Sequence, residues 1–520
     1  MAGPRAGARM RPLPRLVPRT RAAVVAPRVL PPVEILLAQG GDGRLQIDAA
    51  TGLNPYGCRS APRPEALHFS SSTASSVSER GWRRANLVRE RLATAGEYAG
   101  LVEENRAELK RLLRLDGTGA DVVFAPSGTD AALLAVAVAR TELRAPLVSL
   151  ITAADETGSG ARHAASGRHF ATSSALGRAV VPGEPIAGVA DGIELSAVPL
   201  RETDGGLVPP TELDRRVLAR VAQAVATGSS VLLHAMDHSK LGHRCPSEAC
   251  LAGIERSFGA RVRIVVDACQ GRLARERIRS HLQRGRMVLI TGSKFFSGPP
   301  LSGALLLPHE LVRCMERAAA LPPGLADYSV ESDWPQGWRA PQASLTPHEN
   351  VGQLIRWSAA LEEMSAWFAV PGAARRAALA EFASSVPGAA ASVAAVEPLQ
   401  PPLLDDPDFP VPTIFPFFVN CGGTALSPER AGKLYRAMNR DVTPLLPGVG
   451  PHERALAALP CHIGQPVCVA GPGGARGALR ISASARIAAE AGCRVADALG
   501  LTFQKLDLLV REFERIEHAY

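Results

Sequence analysis

The sequence predicts an α/β fold with a mainly parallel central sheet, together with a smaller α+β domain at the C-terminal end. Short apolar runs alternate with helical stretches between Glu97 and Pro308, which is the rhythm of strand–helix–strand units. Turns rich in Gly and polar residues follow several of these runs directly, and parallel sheets hold ligands at that edge. The predicted strands of this part are Val122–Ala125, Leu147–Ile151, Val231–His234, Val262–Val266, Val288–Thr291 and Ala304–Leu307.

Composition and periodicity divide the chain into four predicted segments. Residues 1–42 are predicted to be a disordered Arg/Pro-rich extension, and residues 43–96 are an N-terminal segment dense in turn formers. Residues 97–360 are expected to form the large domain and residues 361–520 the small one. The C-terminal half contains a helix-rich stretch, two strands and a final helix, with the helix-rich stretch at Arg356–Val386 and the strands at Thr413–Val419 and Ala478–Ser482.

Composition excludes several kinds of partner. The chain has 520 residues, 46% hydrophobic and 21% charged, which is enough for a large core. It contains no apolar stretch near the roughly 18 residues that span a membrane, so we expect a soluble protein. The net charge is +8, but the first 30 residues hold seven arginines and no acid. The basic excess therefore belongs to a tail and does not indicate nucleic-acid binding.

The expected compartment is the cytoplasm. Nine cysteines lack paired spacing, and the sequence predicts no secretory hydrophobic stretch, so reduced thiols are expected. The acid-free N-terminus leaves organelle targeting as the alternative, although five prolines in its first 27 residues weaken an amphipathic helix. His243, Cys245 and Cys250 have no matching second pair of ligands, so no metal site is predicted.

The turn after the first predicted strand suits a phosphate group. Ser127, Gly128 and Thr129 stand between Val122–Ala125 and a helical stretch rich in Ala and Leu. Such a turn leaves backbone N–H groups free at the positive end of a helix, where anions bind. An ordinary capped helix start has the same sequence, so this turn alone does not decide the function.

Two more strand-then-turn segments, VVDACQGR and ITGSKFFSGPP, place Asp267 and Lys294 27 residues apart. A carboxylate at the end of an apolar strand can keep a pyridine nitrogen protonated, and a lysine can form a Schiff base with an aldehyde cofactor. Taken alone, such an Asp is more often a helix cap and such a Lys is usually solvated. In the order phosphate turn, acid and lysine, the three predict a site for pyridoxal 5'-phosphate (PLP).

These segments resemble motifs of the class V aminotransferase and cysteine desulfurase-like enzymes of fold type I. The resemblance runs in motif order over roughly residues 45–515, and it implies a PLP-binding fold and a free amino acid as substrate. Ser127–Asp130 resembles the family's phosphate turn. Asp267–Gln270 resembles its Asp-x-x-Gln, which implies that Gln270 contacts the phenolic oxygen of the cofactor. Thr291–Lys294 resembles the lysine segment, with Thr291 and Ser293 as further phosphate contacts.

Two later segments extend the resemblance. Leu345–Gly352 resembles a segment whose threonine, here Thr346, reaches the phosphate bound in the neighbouring subunit, which implies a homodimer with shared active sites. Gly477–Ile487 resembles the strand whose arginine, here Arg480, holds the substrate α-carboxylate. A guanidinium fits a carboxylate with two parallel hydrogen bonds, although a surface ion pair is the simpler explanation of a lone arginine.

The N-terminal segment is expected to wrap toward the mouth of the site, as in the resembling enzymes. Asn54 is then a candidate for substrate binding, although a plain turn asparagine fits its surroundings better.

The chain departs from the desulfurases at the sulfur-accepting residue. Aligning Gln465-Pro466 with the family's Gln-Pro places Ile463 at the nucleophilic cysteine, and an aliphatic side chain cannot accept sulfur. Cys461 and Cys468 are displaced from that position. The sequence therefore predicts no persulfide chemistry.

The residues around the cofactor ring are less well defined. Glu156 and Thr157 lie near the position of the family's ring-stacking histidine and His163 a little beyond, so no stacking residue is assigned. Ser239 aligns with the asparagine near the phenolic oxygen, and His238 lies beside it.

The sequence thus predicts a PLP enzyme that acts on a free amino acid, most simply a class V-type aminotransferase. Lys294 would hold the cofactor and carry the proton, Asp267 would sustain the pyridinium, and Gln270 with Ser239 or His238 would tune the phenolic oxygen. A lyase that breaks a C–S or other Cβ–X bond, including a desulfurase-like enzyme, is the alternative. A PLP-binding protein without turnover is a third possibility.

Overall fold

The computed structural model describes residues 28–520, except residues 96, 144–145, 319, 404, 472 and 491–493. Residues 1–27, on which the organelle-targeting alternative rests, lie outside the described part. The helices are α1 Val33–Leu37, α2 Glu79–Ala95, α3 Tyr98–Leu112, α4 Gly128–Ala139, α5 Ala161–Ala165, α6 Pro210–Ala226, α7 Glu248–Phe258, α8 Arg275–Gln283, α9 His309–Arg317, α10 Arg339–Ser344, α11 Val351–Ala369, α12 Gly372–Ala391, α13 Pro428–Met438, α14 Pro451–Ala458, α15 Arg486–Ala489, α16 Val495–Arg511 and α17 Phe513–Ala519.

The strands are β1 Leu67–Phe69, β2 Asp121–Ala125, β3 Leu147–Thr152, β4 Ile193–Val198, β5 Ser230–Met236, β6 Val262–Asp267, β7 Met287–Thr291, β8 Gly303–Leu307, β9 Val396–Pro398, β10 Ile414–Cys421, β11 Thr424–Ala425, β12 Cys461–Val469 and β13 Arg476–Ser482.

A seven-stranded sheet forms the centre of the larger part, in the order β2-β8-β7-β6-β5-β3-β4. β3 pairs in parallel with β4 and β5, and β5, β6 and β7 continue the parallel pairing. β8 is antiparallel to both of its neighbours, β2 and β7. The predicted α/β fold with a mainly parallel sheet is confirmed, and the predicted strands agree with the observed ones to within two residues.

β4 was not predicted as a strand because it lies at the edge of the sheet. Of its residues only Val198 is buried, whereas every residue of β3, β5, β7 and β8 is buried. An apolar run marks a strand that is covered on both faces, and a half-exposed edge strand lacks that signal.

A second, six-stranded sheet belongs to the smaller part. β12, β13 and β10 are its antiparallel core, β9 and β11 pair with β10, and β1 joins β12 in parallel. The N-terminal segment therefore contributes a strand to a sheet made otherwise of residues 396–482. β12 was not predicted because its register shifts between Gly464 and Val467, around Pro466.

The ordered chain begins earlier than predicted. α1 lies inside the segment that was expected to be a disordered extension, and its Val33, Leu36 and Leu37 are buried. These side chains cover α11 and α2, so an apolar surface on the body orders them. Arg356 on α11 secures the following turn, since its guanidinium donates to the carbonyls of Gln39 and Gly40.

α11 also crosses the boundary predicted at residue 360. It is one continuous helix, and α2 and α3 pack against it. None of the helices in the described residues is both long and apolar enough to span a membrane.

Gly303 at the start of β8 allows a close backbone contact. A Cβ atom there would lie 2.2 Å from the carbonyl carbon of Ser127, so the two segments would have to separate. We predict that Gly303→Ala lowers the free energy of unfolding by about 1–3 kcal/mol, because overpacked sites cost that much.

Gly388→Ala is the matched control. Gly388 lies in α12, and a Cβ atom added there would meet no other atom within 4 Å, so alanine should stabilise the helix by about 0.5–1 kcal/mol. Thermal unfolding of both variants checks the pair, and a Gly303→Ala protein at least as stable as Gly388→Ala would contradict the assignment.

Candidate active site

One cleft gathers most of the predicted site residues at the carboxyl ends of β2, β3, β5, β6 and β7. Turns after these strands supply its floor, and the N-terminal segment, β12 and β13 supply its other walls. Of the predicted set, the cleft is lined by Ser127, Gly128, Thr129, His238, Asp267, Gln270, Thr291, Ser293, Lys294 and Arg480. This is the edge at which a parallel sheet presents ligands.

The phosphate turn is built as the start of α4. Ser127 caps the helix, and its Oγ accepts the N–H groups of Thr129 and Asp130, each at 3.2 Å. Gly128 lets this turn lie against the turn after β6, because a Cβ there would stand 2.6 Å from the Sγ of Cys269. The positive end of α4 therefore faces the cleft.

Arg44 reaches this turn from the N-terminal segment. Its guanidinium donates to Ser127 Oγ at 2.9 Å and to Thr129 Oγ1 at 3.4 Å, and Asp42 holds it through a 2.6 Å ion pair. Sequence reasoning missed Arg44 because it stands 83 residues before the turn, in a segment without periodicity.

Asp130 is buried behind the turn. Burial raises its pKa to about 7, and the nearby Asp42 carboxylate adds to the rise, while Arg44 and the Ser127 hydroxyl oppose it. A carboxyl group that is partly neutral at pH 7 repels an anion in the turn less than a fully ionised one would.

The acid and the amide lie at the end of β6. Asp267 is its last residue, and its Oδ1 accepts the N–H of Cys269 at 3.1 Å. Gln270 is buried, donates to the carbonyl of Ser72 at 3.2 Å and accepts from Arg272 at 3.0 Å. Both amide atoms of Gln270 are thus held, which fixes its position at the cleft.

Lys294 follows β7 and is partly exposed to the cleft. Burial lowers its pKa below the usual range, and the cationic Arg480 and Arg272 lower it further, while Cys269 and Asp267 oppose the change. A larger share of the amine is therefore neutral near pH 7 than for a solvated lysine, which makes it a better nucleophile and proton acceptor.

Arg480 lies on β13 and is 2% exposed. It donates to the carbonyl of Gln465 at 2.7 Å and to Thr73 Oγ1 at 2.8 Å, with weaker contacts to the carbonyls of Lys240 and Ser72. All of these acceptors are neutral. Burial lowers its pKa to about 10, opposed by Tyr435 and Glu156.

Of the two residues predicted near the phenolic oxygen, His238 lines the cleft and Ser239 does not. His238 lines the cleft, with Nδ1 held by Asp237 at 2.6 Å. Ser239 does not line it: its Oγ donates to Glu156 at 2.5 Å and accepts the N–H groups of Leu241 and His243. Ser239 thus organises the turn behind the cleft.

The residues near the predicted ring-stacking position also differ in whether they reach the cleft. Thr157 and Glu156 line the cleft, whereas His163 lies on the short helix α5 and does not line it. Glu156 is engaged by Arg201 at 2.9 Å in addition to Ser239.

Two predicted residues lie away from this cleft. The Oδ1 of Asn54 accepts the N–H groups of Tyr56 and Cys58, each at 3.0 Å, so Asn54 shapes a turn and is not among the residues that line this cleft. The segment does reach the cleft, through Tyr56 and Thr73. Thr346 is exposed and lines no part of the cleft of its own chain.

The cysteines proposed as displaced sulfur acceptors are also outside the cleft. Cys461 is fully buried, and burial raises its pKa to about 11. Ile463 is buried opposite Phe69 of β1, and Cys468 is exposed. Cys269 is the cysteine that lines the described cleft, and burial raises its pKa well above the usual range.

No protein-family model and no curated protein matches the chain. Solved structures do show similarity. One is the cysteine desulfurase CsdA from Escherichia coli, with 15% identity, coverage of 88% of this chain and 95% of the other, and a TM-score of 0.49. Another is Oryza sativa TDC with PLP and tryptamine, with 14% identity, coverage of 96% and 90%, and a TM-score of 0.49. At this level of similarity, what the cleft does must follow from its own residues.

Proposed function

We propose that this chain is a PLP-dependent enzyme that acts on a free amino acid, and that its reaction is a transamination of the class V type. The observation that carries this proposal is the convergence of Lys294, Asp267 and the Ser127 turn in one cleft. Each lies at the carboxyl end of a different strand of one sheet, and each has the chemistry that a different part of PLP requires.

The donors and acceptors of the cleft fit PLP. The N-terminus of α4 with Thr129, Ser293 and Arg44 would hold the phosphate, and Asp267 would hold the protonated pyridine nitrogen. When bound, PLP supplies an electron sink that stabilises negative charge at the substrate Cα.

Lys294 would hold the cofactor and then carry a proton at the substrate Cα. Its lowered pKa supports both tasks, because the neutral form of an amine is the one that attacks an aldehyde and accepts a proton. Gln270 and His238 would contact the phenolic oxygen, because Gln270 is held by Ser72 and Arg272 and His238 is held by Asp237.

Arg480 would bind the substrate α-carboxylate. Its guanidinium is held in place by neutral acceptors alone, so a carboxylate can replace one of them and form charge-assisted hydrogen bonds. This contact would orient the bonds at Cα relative to Lys294.

A lyase that breaks a Cβ–X bond is the second candidate, because it needs the same Lys294 and Arg480. Sulfur transfer of the desulfurase type is disfavoured by the positions of Cys461 and Cys468 outside the cleft. A binding protein without turnover is disfavoured by the retained Lys, Asp and Arg set.

We further propose a cytoplasmic homodimer with shared active sites. The exposed position of Thr346 supports the pairing, because a side chain that misses its own cleft is available to a neighbouring subunit. The molar mass in solution at micromolar concentration tests this part, and a monomer with full activity would contradict it.

Lys294→Ala should remove the visible absorbance of the holoenzyme and any PLP that borohydride can fix to the chain, and should lower turnover by about 10²–10⁴-fold. Peptide mapping after borohydride treatment checks the attachment site. Lys433→Ala, in α13 and not among the residues that line the cleft, is the control and should keep the modified peptide. Covalent PLP on another lysine would contradict the role of Lys294.

Arg44→Gln should weaken PLP binding by about 10–100-fold, because one charge-assisted contact to the phosphate is lost. Fluorescence titration of the cofactor-free protein with PLP measures the dissociation constant. Arg59→Gln is the control, since Arg59 is an exposed residue of the same segment and pairs with Glu65. Equal dissociation constants for the two variants would exclude Arg44 from the phosphate site.

A panel of amino acids, each tested with and without a keto-acid acceptor, distinguishes the two reactions. Transamination requires the acceptor and forms a new amino acid from it in equal amount. Release of ammonia and a keto acid from an amino acid without any acceptor would contradict transamination and support the lyase alternative.

A further inference from the structure

Lys240 is a second lysine that lines the cleft, and the proposed function gives it no task. It lies in the turn after β5, and its backbone is held on both sides. Its N–H donates to the carbonyl of Glu156 at 3.0 Å, and its carbonyl accepts from Arg480 Nη1 at 3.2 Å. Its side chain lines the same cleft as Arg480 and Lys294.

The acids near Lys240 are already engaged. Glu156 is buried and accepts from Arg201 at 2.9 Å and from Ser239 at 2.5 Å. Asp267 lies at the floor, as the last residue of β6, and accepts the N–H of Cys269. Within the described residues, neither Lys240 nor Arg480 forms a salt bridge.

This arrangement concentrates positive charge. Burial, together with the neighbouring Arg480 and Lys294, lowers the pKa of Lys240 to about 8, and Glu156 opposes the change. Lys240 is still mostly protonated at pH 7. Cations that are buried together repel each other, and an anionic ligand relieves that repulsion.

Each other cation of the cleft has a task in the proposed function. Arg44 and the N-terminus of α4 face the phosphate, Lys294 holds the cofactor, and Arg480 takes the α-carboxylate. Lys240 remains beside Arg480, on the substrate side. A neutral substrate would leave its charge without a partner.

We propose that the substrate is an amino acid with a second acidic group on its side chain, and that Lys240 binds this group. The inference rests on the proposed function and deepens it by naming the substrate class. Arg480 and Lys240 together form a site for two anionic groups separated by a short carbon chain.

Dicarboxylates without an amino group test this without turnover. Succinate is compared with butyrate, and glutarate with valerate, so that each pair has the same carbon count. Calorimetric titration of the holoenzyme should give dissociation constants about 10–100-fold lower for the diacid of at least one pair, because one charge-assisted contact is added.

Lys240→Met should bring the ratio of the monoacid dissociation constant to the diacid dissociation constant to about one. The affinity for the monoacids should stay the same, because Arg480 is retained. Lys240→Arg should keep a ratio well above one. If Lys240→Met does not fold, Lys240→Gln replaces it, and the ratio in the wild-type protein already decides the substrate class.

Two results would overturn the proposal: a wild-type ratio of about one for both pairs, or an unchanged ratio in Lys240→Met. An unchanged ratio combined with a loss of turnover and a shifted pH profile would assign Lys240 to proton transfer instead. A wild-type protein that binds no PLP at all would contradict the proposed function, and this is visible in the absorbance before any dicarboxylate is added.

Discussion

The parallel register of β5, β6 and β7 is the constraint on which the whole site depends. Met236 pairs with Asp267, and Asp267 pairs with Leu289, so the turns that carry His238, the acid and the lysine leave the sheet at one level. A slip of one residue would turn Asp267 to the opposite face of the sheet. The buried apolar residues of these strands resist such a slip, because it would expose them or bury polar groups in their place.

Arg272 connects this edge to the smaller part. Its guanidinium is fully buried and donates to Ser71 Oγ at 2.8 Å, to Thr413 Oγ1 at 2.8 Å and to the carbonyls of Gln270 and Ala483 at 2.9 Å. The N-terminal segment, the large sheet and the small sheet thus meet at one cation. Burial lowers its pKa to about 9, with Arg480 adding to the effect. A network in which every donor has an acceptor holds its parts in one arrangement.

The same region shows how function opposes stability. Arg480 is close enough to lower the pKa values of Lys240, Lys294 and Arg272, and the hydrogen-bond acceptors of Arg480 and Arg272 in the described residues are neutral. Such clusters destabilise an empty protein and favour anionic ligands. A carboxylate and a phosphate bound in the cleft would supply the missing negative charge.

The sequence by itself determined the local parts of this protein. Apolar runs marked the buried strands, and the residue types after them identified the Ser127 turn, Asp267 and Lys294, because strand burial and side-chain chemistry are properties of a few neighbouring residues. The tertiary structure alone decided which distant segments meet. It brought Arg44 to a turn 83 residues later and paired β1 with β12. It also placed His238 at the cleft and Ser239 behind it, where Ser239 donates to Glu156, 83 residues earlier in the chain. These outcomes depend on contacts between residues far apart in the chain, and a local pattern contains no record of such contacts.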